Sequence, residues 1–233
     1  MRRSIRSTCP MSRPSLVLFD VDGTLVDSQG DIYAAMTCAY EDLGLDAPTR
    51  EEVKSIVGLS LPVAMEALVP SLSPRERDRM VATYKESYIA LRAKAPIQET
   101  SPLFPGIRDV LDWMRSEPLL LLGIATGKSQ RGLDKLLAGH ELDDFFITRQ
   151  VADHHPSKPH PSMVLTALSE TGVDPDAVVL IGDTTFDMQM GRNAGIKTIG
   201  VSWGYHPVDR LAADRIATKV EVLPSLVSEI LEI

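Results

Sequence analysis

The chain has 233 residues, of which 44% are hydrophobic and 24% charged, a balance that fits one large folded domain or two small ones. Its formal charge is −8, and because Arg2, Arg3, Arg6 and Arg13 fall in residues 1–14 with no acid, the remainder carries −12. That acidic body argues against nucleic acid as the main partner, and no stretch approaches the ~18 consecutive apolar residues of a membrane span.

Residues 1–14 read as a disordered basic tail, or as an over-extended start with Met11 as the true first residue, because no apolar run of the secretory type follows the arginines. Cys9 and Cys38 make no disulfide framework, and Cys9 lies in that tail, so a reducing, cytoplasmic setting is expected.

Leu16-Val17-Leu18-Phe19 is an uninterrupted apolar run, the mark of a strand covered on both faces. It stops at Asp20-Val21-Asp22-Gly23-Thr24. Two carboxylates at the end of a buried strand are costly without a cation or a reaction to serve. Gly23 invites a turn that brings backbone N–H groups close to whatever those carboxylates hold. After Ser28, the residues Ile32, Ala35, Met36, Ala39 and Leu43 recur at helical spacing until Gly44. Further helices are expected at about residues 50–57, 62–68 and 74–92, the last with Ser73 as N-cap, Pro74 first and Glu76 third. No strand pattern interrupts residues 29–100, so a helical block is inserted directly after the first strand. Lys54 and Arg92 in this block read as solvated helix-face cations before they read as substrate contacts. Met36, Tyr40, Met65 and Tyr84 read as its core, and monomer or homodimer both stay open.

From Pro105 onward strand and helix alternate. Helices are expected at about residues 106–115, 129–137, 161–171 and 186–193, and strands at 119–125, 145–148, 178–181 and 198–201. Such alternation means crossover units and a parallel sheet, with ligands outside the carboxyl ends of the strands. The second strand ends at Thr126-Gly127-Lys128, where a hydroxyl and the N–H groups of a helix start suit a phosphoryl oxygen, and where Lys128 and Arg131 would draw an anion. A later strand ends at Gly182-Asp183-Thr184-Thr185-Phe186-Asp187. If it neighbours the first strand, Asp183 faces Asp20 and Asp22, and a hard-cation site of the magnesium type results. Asp187, one turn into the helix, is a helix N-terminal partner, a supporting acid behind the ligands, or a possible ligand. Prolines restrict the backbone around Lys158 in Ser157-Lys158-Pro159-His160-Pro161, which suits a fixed point charge. His154, His155 and His160 lack helical spacing and read as loop residues, not as a metal cluster.

These four stretches, in this order, resemble the haloacid dehalogenase-like hydrolase superfamily over about residues 15–231. Its pattern is Asp-x-Asp-Gly-Thr, a Ser or Thr after a buried strand, a Lys, and Gly-Asp-x-x-x-Asp. Phe104-Pro105-Gly106, Ala125-Thr126-Gly127-Lys128 and Val201-Ser202-Trp203-Gly204-Tyr205 look like the phosphoglycolate phosphatase-like branch. The resemblance implies an α/β fold: a Rossmann-like parallel-sheet core over residues 15–29 and 97–233, with an inserted all-helical cap domain over 30–96. It implies Asp20 as the nucleophile that becomes an aspartyl-phosphate, and Asp22 as general acid and then base. It also implies Mg2+ held by Asp20, Asp183 and the backbone carbonyl of Asp22, with Thr126 and Lys158 fixing and neutralising the transferring group. Gly23, Thr24 and Gly127 would bind phosphate. Val57-Gly58-Leu59-Ser60 resembles the turn such caps lower to the site, which makes Gly58, with Lys54 and Lys128, the substrate candidates. The implied activity is magnesium-dependent hydrolysis of a small phosphorylated metabolite, phosphoglycolate first, with pyrophosphate, sugar phosphates and nucleotide monophosphates open. Asp22 speaks against dehalogenation. Thr24 speaks against a phosphoryl transferase of the β-phosphoglucomutase type, which stays an alternative beside a non-catalytic binding protein.

Overall fold

The computed structural model describes residues 13–233. Strand β1 (Ser15–Phe19) is buried at every residue, as a continuous apolar run demands when helices cover both faces of a sheet. Five helices follow: α1 (Gln29–Asp42), α2 (Arg50–Ile56), α3 (Leu61–Leu68), α4 (Pro74–Arg92) and the short α5 (Ile97–Thr100). The chain then alternates through α6 (Ile107–Ser116), β2 (Leu120–Thr126), α7 (Gln130–Gly139), β3 (Thr148–Val151) and α8 (Ser162–Thr171). It finishes with β4 (Val178–Gly182), α9 (Thr185–Ala194), β5 (Lys197–Val201), β6 (Arg215–Ala217) and α10 (Leu223–Leu231).

The six strands form one parallel sheet in the order β3-β2-β1-β4-β5-β6. Side chains alternate across it: Val17, Phe19, Val179 and Ile181 join one apolar layer, and Leu16, Leu18, Val178 and Leu180 join the other. The chain builds to one side of β1 and then, from β4, to the other. This reversal is a topological switch point, where the carboxyl ends of neighbouring strands open a crevice. A third apolar cluster joins α1, α2, α3 and α4 through Met36, Ile56, Met65 and Met80, with Tyr40 buried and Tyr84 packed against it. It also takes in Tyr205, from the loop after β5.

Local chemistry accounts for the helix starts. Thr49 with Glu52, Ser73 with Glu76, and Thr184 with Asp187 each form a reciprocal capping box that satisfies two backbone donors. After β1 the chain turns tightly, with Leu25 N–H (2.9 Å) and Val26 N–H (3.1 Å) both donating to Val21 O. The returning segment pairs with the exit from the helical block: Phe104 N–H donates to Leu25 O at 3.0 Å and Asp27 N–H to Pro102 O at 2.9 Å. The two linkers of the block are therefore laced together.

Several expectations are corrected. The strand expected at residues 145–148 begins instead at Thr148, because Phe145 and Phe146 are core plugs in the turn before it. No element was expected after residue 201, yet β6 and α10 complete the edge of the sheet. The basic tail expected over residues 1–14 lies outside the described residues except at its end, where Arg13 pairs with Asp176 at 2.8 Å. Cys9 also lies outside them, and Cys38 is a half-buried free thiol. Among the described residues no helix is long and apolar enough to cross a membrane.

Candidate active site

Asp20 follows the last residue of β1, and its N–H donates to Ile181 O of β4 at 2.9 Å, which seats it at the switch point. Asp183 follows the end of β4 and Thr126 ends β2, so the strand order brings all three to one crevice. Lys158 is fully buried there, with its Nζ 2.9 Å from Asp20 Oδ1 and 2.6 Å from Asp187 Oδ1. Ligand oxygens of Asp20, Asp183 and Asp187 lie within 4.8 Å of one another.

The surroundings of each acid differ. Asp183 accepts from Thr24 Oγ1 at 2.9 Å and from Tyr205 N–H at 2.9 Å. A Cβ on Gly23 would fall 2.2 Å from Asp183 Oδ2, and one on Gly204 would fall 2.1 Å from Asp183 Cβ. Both positions therefore need glycine for close approach, and Gly23 also needs its φ of +85°. Asp187 is tied into its capping box, accepting from Thr184 Oγ1 at 2.6 Å as well as from Lys158. Asp22 accepts from Lys128 Nζ at 2.6 Å and from the Ser28 hydroxyl. Neither carboxylate oxygen of Asp20 has a hydrogen-bond partner, although both are buried.

Electrostatics follow from this crowding. Burial pushes the Asp20 carboxyl up to about 7 against the pull of Lys158. Burial, with Asp20 as neighbour, pushes Asp183 well above the carboxylate range. Asp22 would also rise by burial, but Lys128 outweighs that and holds it below its ordinary value. Burial pulls Lys128 down, while Lys158 ends above its ordinary value because Asp187 and Asp20 outweigh its own burial. The Asp20–Asp183–Asp187 group fits a divalent cation: three buried acids face one point, and Lys158 near Oδ1 is the one charged partner of Asp20, whose Oδ2 has no partner.

A cavity of about 550 Å³ opens above Asp20 and Asp22. Its roof is the turn between α2 and α3. Gly58 and Leu59 carbonyls press on Gly127, where a Cβ would lie 2.7 Å from Gly58 O, and Ser60 N–H donates to Ser157 Oγ at 2.8 Å. Lys85, Arg92, Lys128, Arg131 and Lys135 line the cavity, a concentration of positive charge in a chain of net charge −8.

The candidate residues from the sequence fall into three groups. Asp20, Asp22, Lys158, Asp183 and Asp187 converge, Thr126 ends the neighbouring strand β2, and Gly58, Gly127 and Lys128 border the cavity above Asp20 and Asp22. At Gly23 and Thr24, expected to bind phosphate, Gly23 N–H donates to Val26 O, Thr24 N–H to Val21 O, and the Thr24 hydroxyl to Asp183, so both hold the turn. Lys54 is half-buried and does not line the cavity. Arg92, expected on a solvated face, is 9% exposed. It pairs with Asp31 at 3.4 Å, donates to Ser101 and lies 4.6 Å from the Tyr88 ring centre. Asp31 is 61 residues away in sequence, so no local pattern announces that pair. His155 is committed to Ser162 and Gln150. Sequence reasoning missed Ser28, Tyr88 and a role for Tyr205, which stood only inside a quoted stretch.

Comparison with known proteins decides the family. Residues 17–201 match the family model described as haloacid dehalogenase-like hydrolase. The chain belongs to that family. It is 34% identical over 200 residues to "Probable phosphatase IndB" of Dickeya dadantii, covering 85% of each chain. It is 32% identical over 207 residues to a phosphoglycolate phosphatase of Pseudomonas putida, covering 86% of this chain and 75% of that one. A solved haloacid dehalogenase-like hydrolase from Streptococcus pneumoniae superposes with a TM-score of 0.78 at 29% identity, over 91% of this chain and 98% of that one. The α/β fold with its parallel sheet is thus the family's. The chain is an enzyme, a hydrolase of the phosphoric monoester class, and its acidic group suits the divalent metal that such phosphatases use.

Proposed function

We propose that this haloacid dehalogenase-like phosphatase hydrolyses a small, anionic phosphomonoester of the phosphoglycolate kind through an aspartyl-phosphate on Asp20, with Mg2+ as cofactor. The observation that carries the proposal is the Asp20 carboxylate: buried, with Oδ1 ion-paired to a fully buried lysine and Oδ2 without a hydrogen-bond donor. A buried carboxylate with one oxygen held by a fixed charge and the other free is suited to attack phosphorus.

Asp20 and Asp183, with the backbone carbonyl of Asp22, would hold the cation, and Asp187 stands behind them as the partner of Lys158. When bound, the cation supplies neutralisation of the crowded acids and of the phosphoryl oxygens. Lys158 holds positive charge beside the phosphoryl site, and Thr126 with the Gly127 turn orients the group's oxygens. Asp22 gives a proton to the leaving oxygen and later takes one from water. In the substrate-free arrangement Lys128 keeps Asp22 ionised, so an incoming anion that draws Lys128 away frees Asp22 to carry its proton. The roof turn at Gly58 excludes water from the phosphoenzyme.

The substrate assignment is supported by the five cations of the cavity and by relatives named phosphoglycolate phosphatase. We propose that residues 30–96 act as the cap that selects the leaving group. The test is phosphate release from phosphoglycolate, hexose phosphates, nucleotide monophosphates and pyrophosphate, with Mg2+ and with chelator. Chelator-sensitive turnover with the highest kcat/KM for phosphoglycolate is expected. Asp20→Asn should lower kcat by at least about 10³-fold, and retained hydrolysis would remove the aspartyl-phosphate. A preference for neutral sugar phosphates would remove the anionic-substrate assignment.

A further inference from the structure

The loop after β5 carries one residue that touches three parts of the site. Tyr205 donates its backbone N–H to Asp183 Oδ2 at 2.9 Å. Its ring is buried in the apolar cluster of the helical block. Its hydroxyl accepts from Ser28 N–H at 3.0 Å and lies 3.3 Å from Ser28 Oγ. Ser28 is fully buried, sits on the linker into α1, and donates its own hydroxyl to Asp22 Oδ1.

The direction of this chain follows from chemistry. Asp22 faces Lys128 Nζ at 2.6 Å and is an acceptor only. The Ser28 hydroxyl hydrogen therefore points at Asp22, and the phenol hydrogen points at Ser28 Oγ. A phenylalanine would fill the same apolar volume, whereas a phenol buried there without partners would be unfavourable. Tyrosine at this place is explained by what its oxygen holds.

We propose that Tyr205 is a positioning residue: through Ser28 it fixes the Asp22 carboxylate relative to Asp183 and couples that placement to the linker of the helical block. The inference rests on the reading of Asp22 as proton donor to the leaving oxygen. Asp22 has two side-chain supports, Lys128 and Ser28. Lys128 is a long chain whose head also faces the Tyr88 hydroxyl at 3.4 Å, so Ser28 is the rigid support, and Tyr205 makes it rigid.

The experiment compares Tyr205→Phe, Ser28→Ala and the double variant on two substrates under saturating Mg2+. One is an alkyl phosphomonoester, whose leaving oxygen needs a proton. The other is p-nitrophenyl phosphate, whose leaving group departs as a stable anion. A misplaced Asp22 should lower kcat for the alkyl ester by about tenfold or more and for the aryl ester by less than about twofold, with KM little changed. The double variant should be no worse than Ser28→Ala. Equal losses on both substrates, no loss, or additive losses would overturn the proposal. If Tyr205→Phe fails to fold, the same leaving-group split in Ser28→Ala decides it. Asp22→Asn run alongside separates the two readings. If it shows no leaving-group dependence, the role of Asp22 fails; if it does and Tyr205→Phe does not, only the positioning role of Tyr205 fails.

Discussion

Replacing Lys158 by methionine probes the charge balance at the centre of the site. Lys158 is completely buried between Asp20 and Asp187, whose side chains are 1% and 0% exposed. Methionine keeps most of the volume but leaves two buried carboxylates facing each other. Removing one partner of a buried ionic group costs about 3–5 kcal/mol, against about 0–1 kcal/mol for a surface pair. At about 2–4 °C per kcal/mol for a chain of this size, the melting temperature should fall by about 6–20 °C. The loss should depend on pH in a defined sense. In the metal-free protein burial raises Asp20 from an ordinary 3.8 to about 7, so the folded state binds more protons across that window. The contribution of Asp20 to stability therefore declines as pH climbs from 3.8 to about 7. Without Lys158 the Asp20 carboxyl rises further and the decline continues beyond that window. The gap between variant and parent should be smaller at pH 5, where Asp20 is protonated in both, and larger at pH 8. Urea unfolding in chelator at the two pH values measures it. A loss below about 1 kcal/mol at pH 8, or the same loss at both, would refute the account of Lys158 as the counter-charge.

Two other substitutions test separate claims. Gly204→Ala sets a Cβ 2.1 Å from Asp183 Cβ, so Asp183 must move; the Mg2+ concentration for half-activation should rise at least about tenfold. An unchanged activation curve would show that Asp183 does not hold the cation. Ser73→Ala removes the cap of α4 and should cost about 1 kcal/mol in thermal unfolding with kcat unaffected, since the box at Ser73 and Glu76 is exposed and outside the cavity.

What could be read from the sequence, and what could not, divides along the range of the interaction. The runs at Leu16–Phe19 and Val178–Ile181 announce strands covered on both faces, because only such strands tolerate continuous apolar residues. Acids placed immediately after those runs announce a site, because a carboxylate at the end of a buried strand is otherwise unfavourable. Phe145 and Phe146 misled for the converse reason: apolar residues that plug a layer from a turn look like a strand. A three-residue strand such as Arg215–Ala217 is too short to show a period. Within the site, the ion pair of Lys128 with Asp22 spans 106 residues and the contact of Tyr205 with Ser28 spans 177. No local rule relates such positions, nor the closeness of Gly23 and the Thr24 hydroxyl to Asp183, which only the folded chain brings near.

The central place of β1 in the sheet bears on how the protein is made. Its two neighbours are residues 120–126 and 178–182, the second delivered by the ribosome long after β1 itself. Until Val178–Gly182 emerges, one edge of this buried strand has no partner, and the Asp20 N–H has no Ile181 carbonyl to bond. The intervening helices α1 to α4 are all synthesised before β2 and can meanwhile pack on each other, chiefly α1 against α4. A strand edge left open over that interval is what a chaperone would have to protect and aggregation could exploit.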